Sequence, residues 1–211
     1  LHAVDYARQR VQGSHATEMF NPAAERVAII EHPDVKRMLF WMKSHVEGMR
    51  MLTYYLALCL DLEEVETGDK AYDAAAMVEL LVPICKAGNT DMVWLITAEA
   101  IQVFGGYGFC RDYPVEHVAR ACKVLSIVEG TNGIQSIDLV MRKILMNPAQ
   151  HNYQVFKKHV QKTIDEARSV VDEAHLLLLE EAMEKMDQIV SFLLDHLSQG
   201  RFIQLFTLAT Q

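Results

Sequence analysis

The stretch that decides the fold class is residues 152–198, NYQVFKKHVQKTIDEARSVVDEAHLLLLEEAMEKMDQIVSFLLDHLS. It contains neither glycine nor proline, the residues that most often interrupt regular secondary structure. Apolar residues recur in it at the spacing of one helix face, namely Phe156, Val160, Ile164, Ala167, Val171, Ala174 and Leu178. The pattern predicts a helical region, with a bend or a second partner surface at the broader apolar run 175–179.

The rest of the chain predicts further helices separated by a few breaks. These helices are expected over residues 1–12, from 33 into the acidic stretch 61–69, and over 71–104, 115–124 and 132–145. Pro33 suits a first helical position, Thr131 suits an N-cap, and Pro83 is expected to kink or divide its helix. Residues 13–31 are expected to form a loop. Because no strand-like alternation persists, the predicted fold class is all-α, an up-and-down helical bundle with an additional C-terminal helical extension.

Composition and charge exclude several classes of protein. The chain has 20 Lys and Arg against 28 Asp and Glu, a formal charge of −8, which argues against a general nucleic-acid binder. No apolar run reaches the roughly 20 residues of a membrane-spanning helix. The four cysteines form no C-x-x-C pair, so no metal site is expected, and scattered thiols predict a reducing, cytoplasmic location.

Two breaks between the predicted helices carry unusual residues. The first is Gly105-Gly106-Tyr107-Gly108, whose glycines allow the close approach of a ligand or of another backbone. The second has a lone carboxylate, Glu129, after an apolar triplet and before a helix start. Taken singly, the first is more simply an ordinary helix C-terminal turn, and the second a solvated acidic residue that complements a helix dipole.

Together the two breaks resemble one family. The motifs are QVFGGYGF at 102–109, DYPVE at 112–116, EGTNGIQ at 129–135, HPDVKRML at 32–39 and RVQG at 10–13. They resemble the C-terminal helical domain of the acyl-CoA dehydrogenases over residues 1–146. The extension at 147–211 resembles that of the large bacterial subgroup that includes the 3-methylmercaptopropionyl-CoA dehydrogenases, and it is expected to be truncated. The resemblance further implies that the family's N-terminal helical domain and middle β-domain are absent from this chain.

The resemblance implies roles for individual residues. Glu129 matches the catalytic base that removes a proton from Cα of an acyl-CoA thioester while Cβ gives a hydride to FAD, and Gly130 matches a residue that lies against the substrate. The positions that match FAD contacts, some of them across a subunit interface, are Arg10, Gln12, Gln102, Gly105, Gly106, Thr131 and Gly133. A carboxylate is a stronger base in an apolar pocket, to which Ile127 and Val128 would contribute.

The resemblance also implies partners, and it has limits. An electron-transferring flavoprotein is the expected electron acceptor, and a homodimer or homotetramer is the expected assembly.

The sequence departs from the family where Val128 replaces a usual Tyr and where Ala121-Cys122 replaces a usual Asp-Ala. On its own the fragment is expected to be inactive. Two alternatives remain open at this point, a helical oligomerisation or binding module that has lost catalysis, and an acyl-CoA oxidase.

Overall fold

The computed structural model describes residues 1–210, and these residues are mostly helical, which confirms the all-α fold class. The α-helices are His2–Gln9 (α1), Pro33–Val65 (α2), Asp69–Phe104 (α3), Pro114–Lys123 (α4), Asn132–Asp138 (α5), His151–Ala167 (α6), Glu173–Ser198 (α7) and Phe202–Ala209 (α8). The turn Gly105–Phe109 directly after α3 is a 3₁₀ helix, and Leu139–Leu145 continues α5 as a π-helix.

A short β-hairpin corrects two of the sequence-based expectations. The first helix ends at Gln9 instead of residue 12, and Val11–Ser14 (β1) pairs antiparallel with Arg26–Ala28 (β2) inside the expected loop. The His32 ring Nε2 donates to the carbonyl of Gln12 over 2.7 Å and so ties this hairpin to the start of α2. Strands of four and three residues are too short to show the period of two that identifies a strand.

The region 152–198 is helical, as predicted, but it forms two helices, and the break between them lies at 168–172, before the run 175–179 where a bend was expected. Helix α6 ends at Ala167, and α7 starts after Asp172, whose carboxylate accepts a hydrogen bond from the Ala174 N–H over 2.9 Å. A side-chain N-cap of this kind starts a helix without glycine or proline, which is why the sequence pattern missed it. Pro83, in contrast, does not divide α3, because a proline removes one backbone hydrogen bond and its neighbours can continue the helix.

The chain separates into two compact units. The first comprises Leu1–Leu52 with Gly88–Glu129. Its core consists of Ala3, Ala7, Met38, Met42, Ile96, Val103, Phe104 and Val115. The second comprises Thr53–Ala87 and the residues from Gly130 on. Its core includes Met141, Leu145, Leu193 and Leu205, of which Leu205 is fully buried.

Other features of the described residues bear on function. None of the helices within residues 1–210 has both the length and the apolar character that a membrane crossing requires. Across the same residues, no three His, Cys, Asp or Glu side chains gather in a group that could hold a metal ion. All four cysteines are free thiols.

Candidate functional site

The C-cap of α1 carries the first predicted site residue. Arg10 leaves the helix with an extended backbone, and its N–H still donates to the Tyr6 carbonyl over 2.8 Å. Its guanidinium lies over the Tyr107 ring, and its Nη2 donates to Oε1 of Gln12 over 3.4 Å. The structure therefore brings together Arg10, Gln12 and the turn that holds the glycine motif.

The turn Gly105–Phe109 presents a bare stretch of backbone. A Cβ atom added at Gly105 or at Gly106 would have no heavy atom within 4 Å. Gln102, one helical turn earlier in α3, is exposed. These three predicted site residues thus lie on an open surface of the first unit, where a ligand can come close to the main chain.

Four aromatic rings hold this turn in place. Tyr6 stacks on Phe104 with ring centroids 4.2 Å apart. Tyr113 meets Phe104 edge-on at 5.7 Å and lies tilted against Tyr107 at 5.2 Å. Burial is the main cause that raises the pKa of the Tyr6 hydroxyl, with Arg10 opposing it. Sequence reasoning assigned no role to Tyr107 or Tyr113, although both lie inside the quoted motifs. Both tyrosines are about 100 positions from Tyr6 in the sequence, so the cluster of rings is visible only in the folded chain.

Glu129 ends the first unit in an unusual backbone conformation. Its φ is 56°, in the left-handed region that few residues other than glycine adopt. The segment before it is a tight turn, in which the N–H groups of Ile127 and Val128 both donate to the Val124 carbonyl. Glu129 is exposed, and so are Ile127 at 58% and Val128 at 42%. Within the described residues the expectation of a shielded carboxylate is therefore not met, because the two apolar neighbours that were expected to form a wall face outward as well.

Gly130, the first residue of this part of the second unit, also has a left-handed backbone, with φ at 82°. A Cβ atom here would lie 3.0 Å from Nε2 of Gln135, so both the conformation and the space favour glycine. Thr131 is the N-cap of α5, as predicted, and its Oγ1 accepts a hydrogen bond from the Ile134 N–H over 3.4 Å. Gly133 faces the Thr210 methyl group, 3.9 Å from where its Cβ would be.

Lys86 in α3 contacts this turn, and sequence reasoning missed it. The Lys86 Nζ donates to the Gly130 carbonyl and, over 2.9 Å, to Oδ1 of Asn132. The Asn132 Nδ2 in turn donates to the Ala87 carbonyl over 3.3 Å. Lys86 and Gly130 are 44 positions apart, and no spacing rule links them.

Comparison with known proteins identifies the domain. A family model described as "Acyl-CoA dehydrogenase, C-terminal domain" matches residues 2–145. The chain therefore belongs to the acyl-CoA dehydrogenase family, which confirms the resemblance drawn from its motifs.

Individual relatives agree with this assignment. The chain is 42% identical over 149 residues to a butyryl-CoA dehydrogenase of Syntrophomonas wolfei, a match that covers 70% of this chain and 24% of that protein. It is 38% identical over 144 residues to the 3-methylmercaptopropionyl-CoA dehydrogenase of Ruegeria pomeroyi, which covers 68% of this chain and 24% of that protein. The chain thus spans about a quarter of the length of these relatives.

A solved structure shares the fold over nearly the whole chain. Caenorhabditis elegans ACDH-11 in complex with C11-CoA matches with a TM-score of 0.73, covering 99% of this chain and 32% of that one at 22% identity. At this level of identity the likeness shows the fold.

The first unit has groups that can bind a diphosphate. A diphosphate needs positive charge and close access to the main chain. The Arg10 guanidinium supplies the charge, and the open backbone at Gly105 and Gly106 supplies the access. The exposed amide of Gln102 adds a donor and an acceptor. The residues present therefore fit the cofactor that the motifs imply.

Proposed function

We propose that this chain is the C-terminal helical part of an FAD-dependent acyl-CoA dehydrogenase, with the family domain at residues 1–146 and an added helical extension at 147–211. The enzyme would convert an acyl-CoA thioester to the trans-2-enoyl-CoA. Glu129 would take the proton from Cα, and the hydride would leave Cβ for the flavin, so that the two bonds broken leave one new Cα=Cβ double bond. Membership of the family supports the reaction type.

The backbone of Glu129 is the observation that carries this proposal. A non-glycine residue in the left-handed region costs about 1–2 kcal/mol, and such strain collects at functional sites. A glycine at position 129 would adopt the same φ without that cost. A carboxylate kept at such a position supports a chemical role for Glu129, in agreement with its place in the family motif.

FAD would supply the hydride acceptor when it is bound. Arg10, Gln12, Gln102, Gly105 and Gly106 would hold its charged and polar parts. Thr131 and Gly133 would add contacts at the start of α5, the positive end of the helix. These assignments rest on the motifs and on the open surfaces described above.

The exposure of Glu129 sets a requirement for this function. A carboxylate in water is a weak base, so productive removal of an α-proton needs water to be excluded around it. The exposed Ile127 and Val128 give the turn an apolar rim against which an acyl chain or another protein surface can close. We accordingly expect no activity from this chain alone and test the proposal in the complete enzyme that contains it.

The test is Glu129→Gln in that enzyme, with Glu116→Gln as a matched control on α4. On anaerobic mixing with butyryl-CoA, the wild type and Glu116→Gln should lose their flavin absorbance near 450 nm. Glu129→Gln should keep its FAD, but its rate of flavin reduction should fall by more than about 1,000-fold, because an amide cannot accept the proton. Flavin reduction by Glu129→Gln at the wild-type rate would reject Glu129 as the base.

The electron acceptor, the assembly and the location complete the proposal. An electron-transferring flavoprotein is the proposed acceptor, and a homodimer or homotetramer would supply the FAD contacts that the motifs imply across a subunit interface. A cytoplasmic location remains a prediction from the reduced thiols. Release of hydrogen peroxide during turnover would favour the oxidase alternative, and an enzyme that neither binds nor reduces flavin would favour the non-catalytic module.

A further inference from the structure

Lys86 joins α3 to the turn that follows Glu129. It is half-buried, and its ammonium group donates both to the Gly130 carbonyl and to the Asn132 side chain. Hydrogen bonds from a charged donor are stronger than neutral ones. Since Asn132 also donates back to the Ala87 carbonyl, neighbouring residues of α3 hold this turn at two points.

The bonded carbonyl lies at a sensitive place in the chain. Glu129 and Gly130 are consecutive residues with left-handed backbones, and Thr131 begins the capped start of α5. The Gly130 carbonyl belongs to the peptide between this left-handed pair and the cap. A bond to this oxygen therefore fixes the orientation of the peptide plane directly after the left-handed pair, and so holds the turn that follows Glu129.

We propose that Lys86 is a positioning residue for the carboxylate of Glu129. It acts through the Gly130 carbonyl and the Asn132 amide, by keeping the turn in the one conformation that directs the carboxylate to the substrate. The inference rests on the proposed role of Glu129. Small displacements of a reacting group can slow an enzyme by about 100-fold, so the loss of this bond should act on the chemical step more than on substrate binding.

The experiment compares Lys86→Met with Lys86→Arg in the complete, FAD-loaded enzyme. Lys162→Met is the matched control, since Lys162 is an exposed lysine on α6 that pairs with Glu166 of the same helix. The rate constant of flavin reduction is measured against butyryl-CoA concentration, which separates the limiting rate from the dissociation constant of the thioester. Hydrogen exchange of the peptide that covers 128–133 reports on the turn itself and needs no activity.

The expected result for Lys86→Met is a limiting rate roughly 10- to 100-fold below wild type, with a thioester dissociation constant within about 3-fold and faster exchange at Thr131 and Asn132. Lys86→Arg should recover most of the rate, because it keeps the charged donor. Lys162→Met should match the wild type. If Lys86→Met does not fold, Asn132→Ala is tested in its place. It removes the Asn132 hydrogen bonds to Lys86 and Ala87, and it should lower the limiting rate in the same way but by a smaller factor.

Two results would overturn the inference. One is a wild-type limiting rate in Lys86→Met. The other is a parallel loss of rate, thioester affinity and FAD content that Lys86→Arg does not restore, which marks general damage. Failure of the proposed function gives a different result, because Glu129→Gln would then reduce flavin at the wild-type rate, independently of the results for the Lys86 variants.

Discussion

The guanidinium of Arg10 lies over the aromatic ring of Tyr107, with its Cζ atom 5.4 Å from the ring centroid. This contact joins the end of α1 to the turn Gly105–Phe109. A cation held over an aromatic ring gains about 0.5–1 kcal/mol at an exposed site, and the planar guanidinium still has donors at its edge for an anion. The positive charge and the open glycine backbone therefore belong to one surface.

Replacing Arg10 should weaken the binding of FAD in the complete enzyme. Hydrogen bonds to charged groups are worth about 1.5–3 kcal/mol, so Arg10→Met should raise the dissociation constant of FAD by roughly 10- to 100-fold. Flavin titration into the apoenzyme, followed by fluorescence quenching, measures the change. Arg8→Met on the exposed side of α1 is the control, and equal FAD affinity in the two variants would remove Arg10 from the cofactor site.

Gly108 is fixed by close packing with α3. A Cβ atom there would lie 2.6 Å from the Ile101 carbonyl oxygen and 2.9 Å from Cβ of Phe104, and neither backbone nor Cβ atoms can move aside cheaply. Gly108→Ala should lower the free energy of unfolding by about 1–3 kcal/mol, measured by urea denaturation. At Gly48 in α2 an added Cβ would meet open space, so Gly48→Ala should raise the free energy of unfolding by about 0.5–1 kcal/mol. Equal effects of the two changes would contradict the close packing at Gly108.

Stability and activity should respond in opposite directions at position 129. Glu129→Gly removes the left-handed strain and should raise the free energy of unfolding by up to about 1 kcal/mol while abolishing turnover. Glu116→Gly in α4 should instead lose about 1 kcal/mol, since glycine is a poor helix former. Thermal melts and a dye-reduction assay on the same samples measure both quantities. A clear loss of stability in Glu129→Gly would show that the conformation is not strained.

The contact between α6 and α7 should make stability depend on pH. Lys157 donates to both carboxylate oxygens of Asp187 over 2.7 Å, and the buried Tyr153 hydroxyl donates to Oδ1 over 3.0 Å. The Lys157 hydrogen bond is the main cause that lowers the pKa of Asp187 below its ordinary value, with burial opposing it. A carboxylate with a lowered pKa stabilises the fold above its unfolded-state pKa, and this contribution disappears as the pH falls through the lowered value.

Asp187→Asn tests that dependence. Because the pair is about a third exposed or more, the loss at neutral pH should be at most about 1 kcal/mol. The difference from wild type should be constant above about pH 5 and should shrink as the pH falls below the ordinary range of a carboxyl group. Asp165→Asn, whose partner Arg168 is 3.7 Å away and exposed, should show little of this effect. A difference that grows on acidification would contradict a lowered pKa of Asp187 in the folded protein.

The sequence predicted those features that depend on a few neighbouring residues. Pro33 marked the start of α2, the glycines after Phe104 marked the end of α3, and Thr131 marked the cap of α5, because breakers and caps act locally. The break after Ala167 was missed, since the cap at Asp172 needs no glycine or proline.

Contacts between distant residues were beyond the sequence pattern. The pairing of Val11 with Ala28, the ring of Tyr107 under Arg10 and the bond from Lys86 to Gly130 all depend on how the chain folds back. The left-handed backbone of Glu129 was equally hidden, because a glutamate gives no local signal for it.

The most direct test of the account follows the α-proton itself. In deuterium oxide, the complete enzyme is mixed with 3,3-dimethylbutyryl-CoA, whose Cβ carries no hydrogen, so that proton removal is observed without hydride transfer. Mass spectrometry of the thioester should show α-deuterium with the wild type and with Glu116→Gln. Exchange by Glu129→Gln should be slower by more than about 1,000-fold. Exchange by Glu129→Gln at the wild-type rate would contradict the central claim that Glu129 is the base.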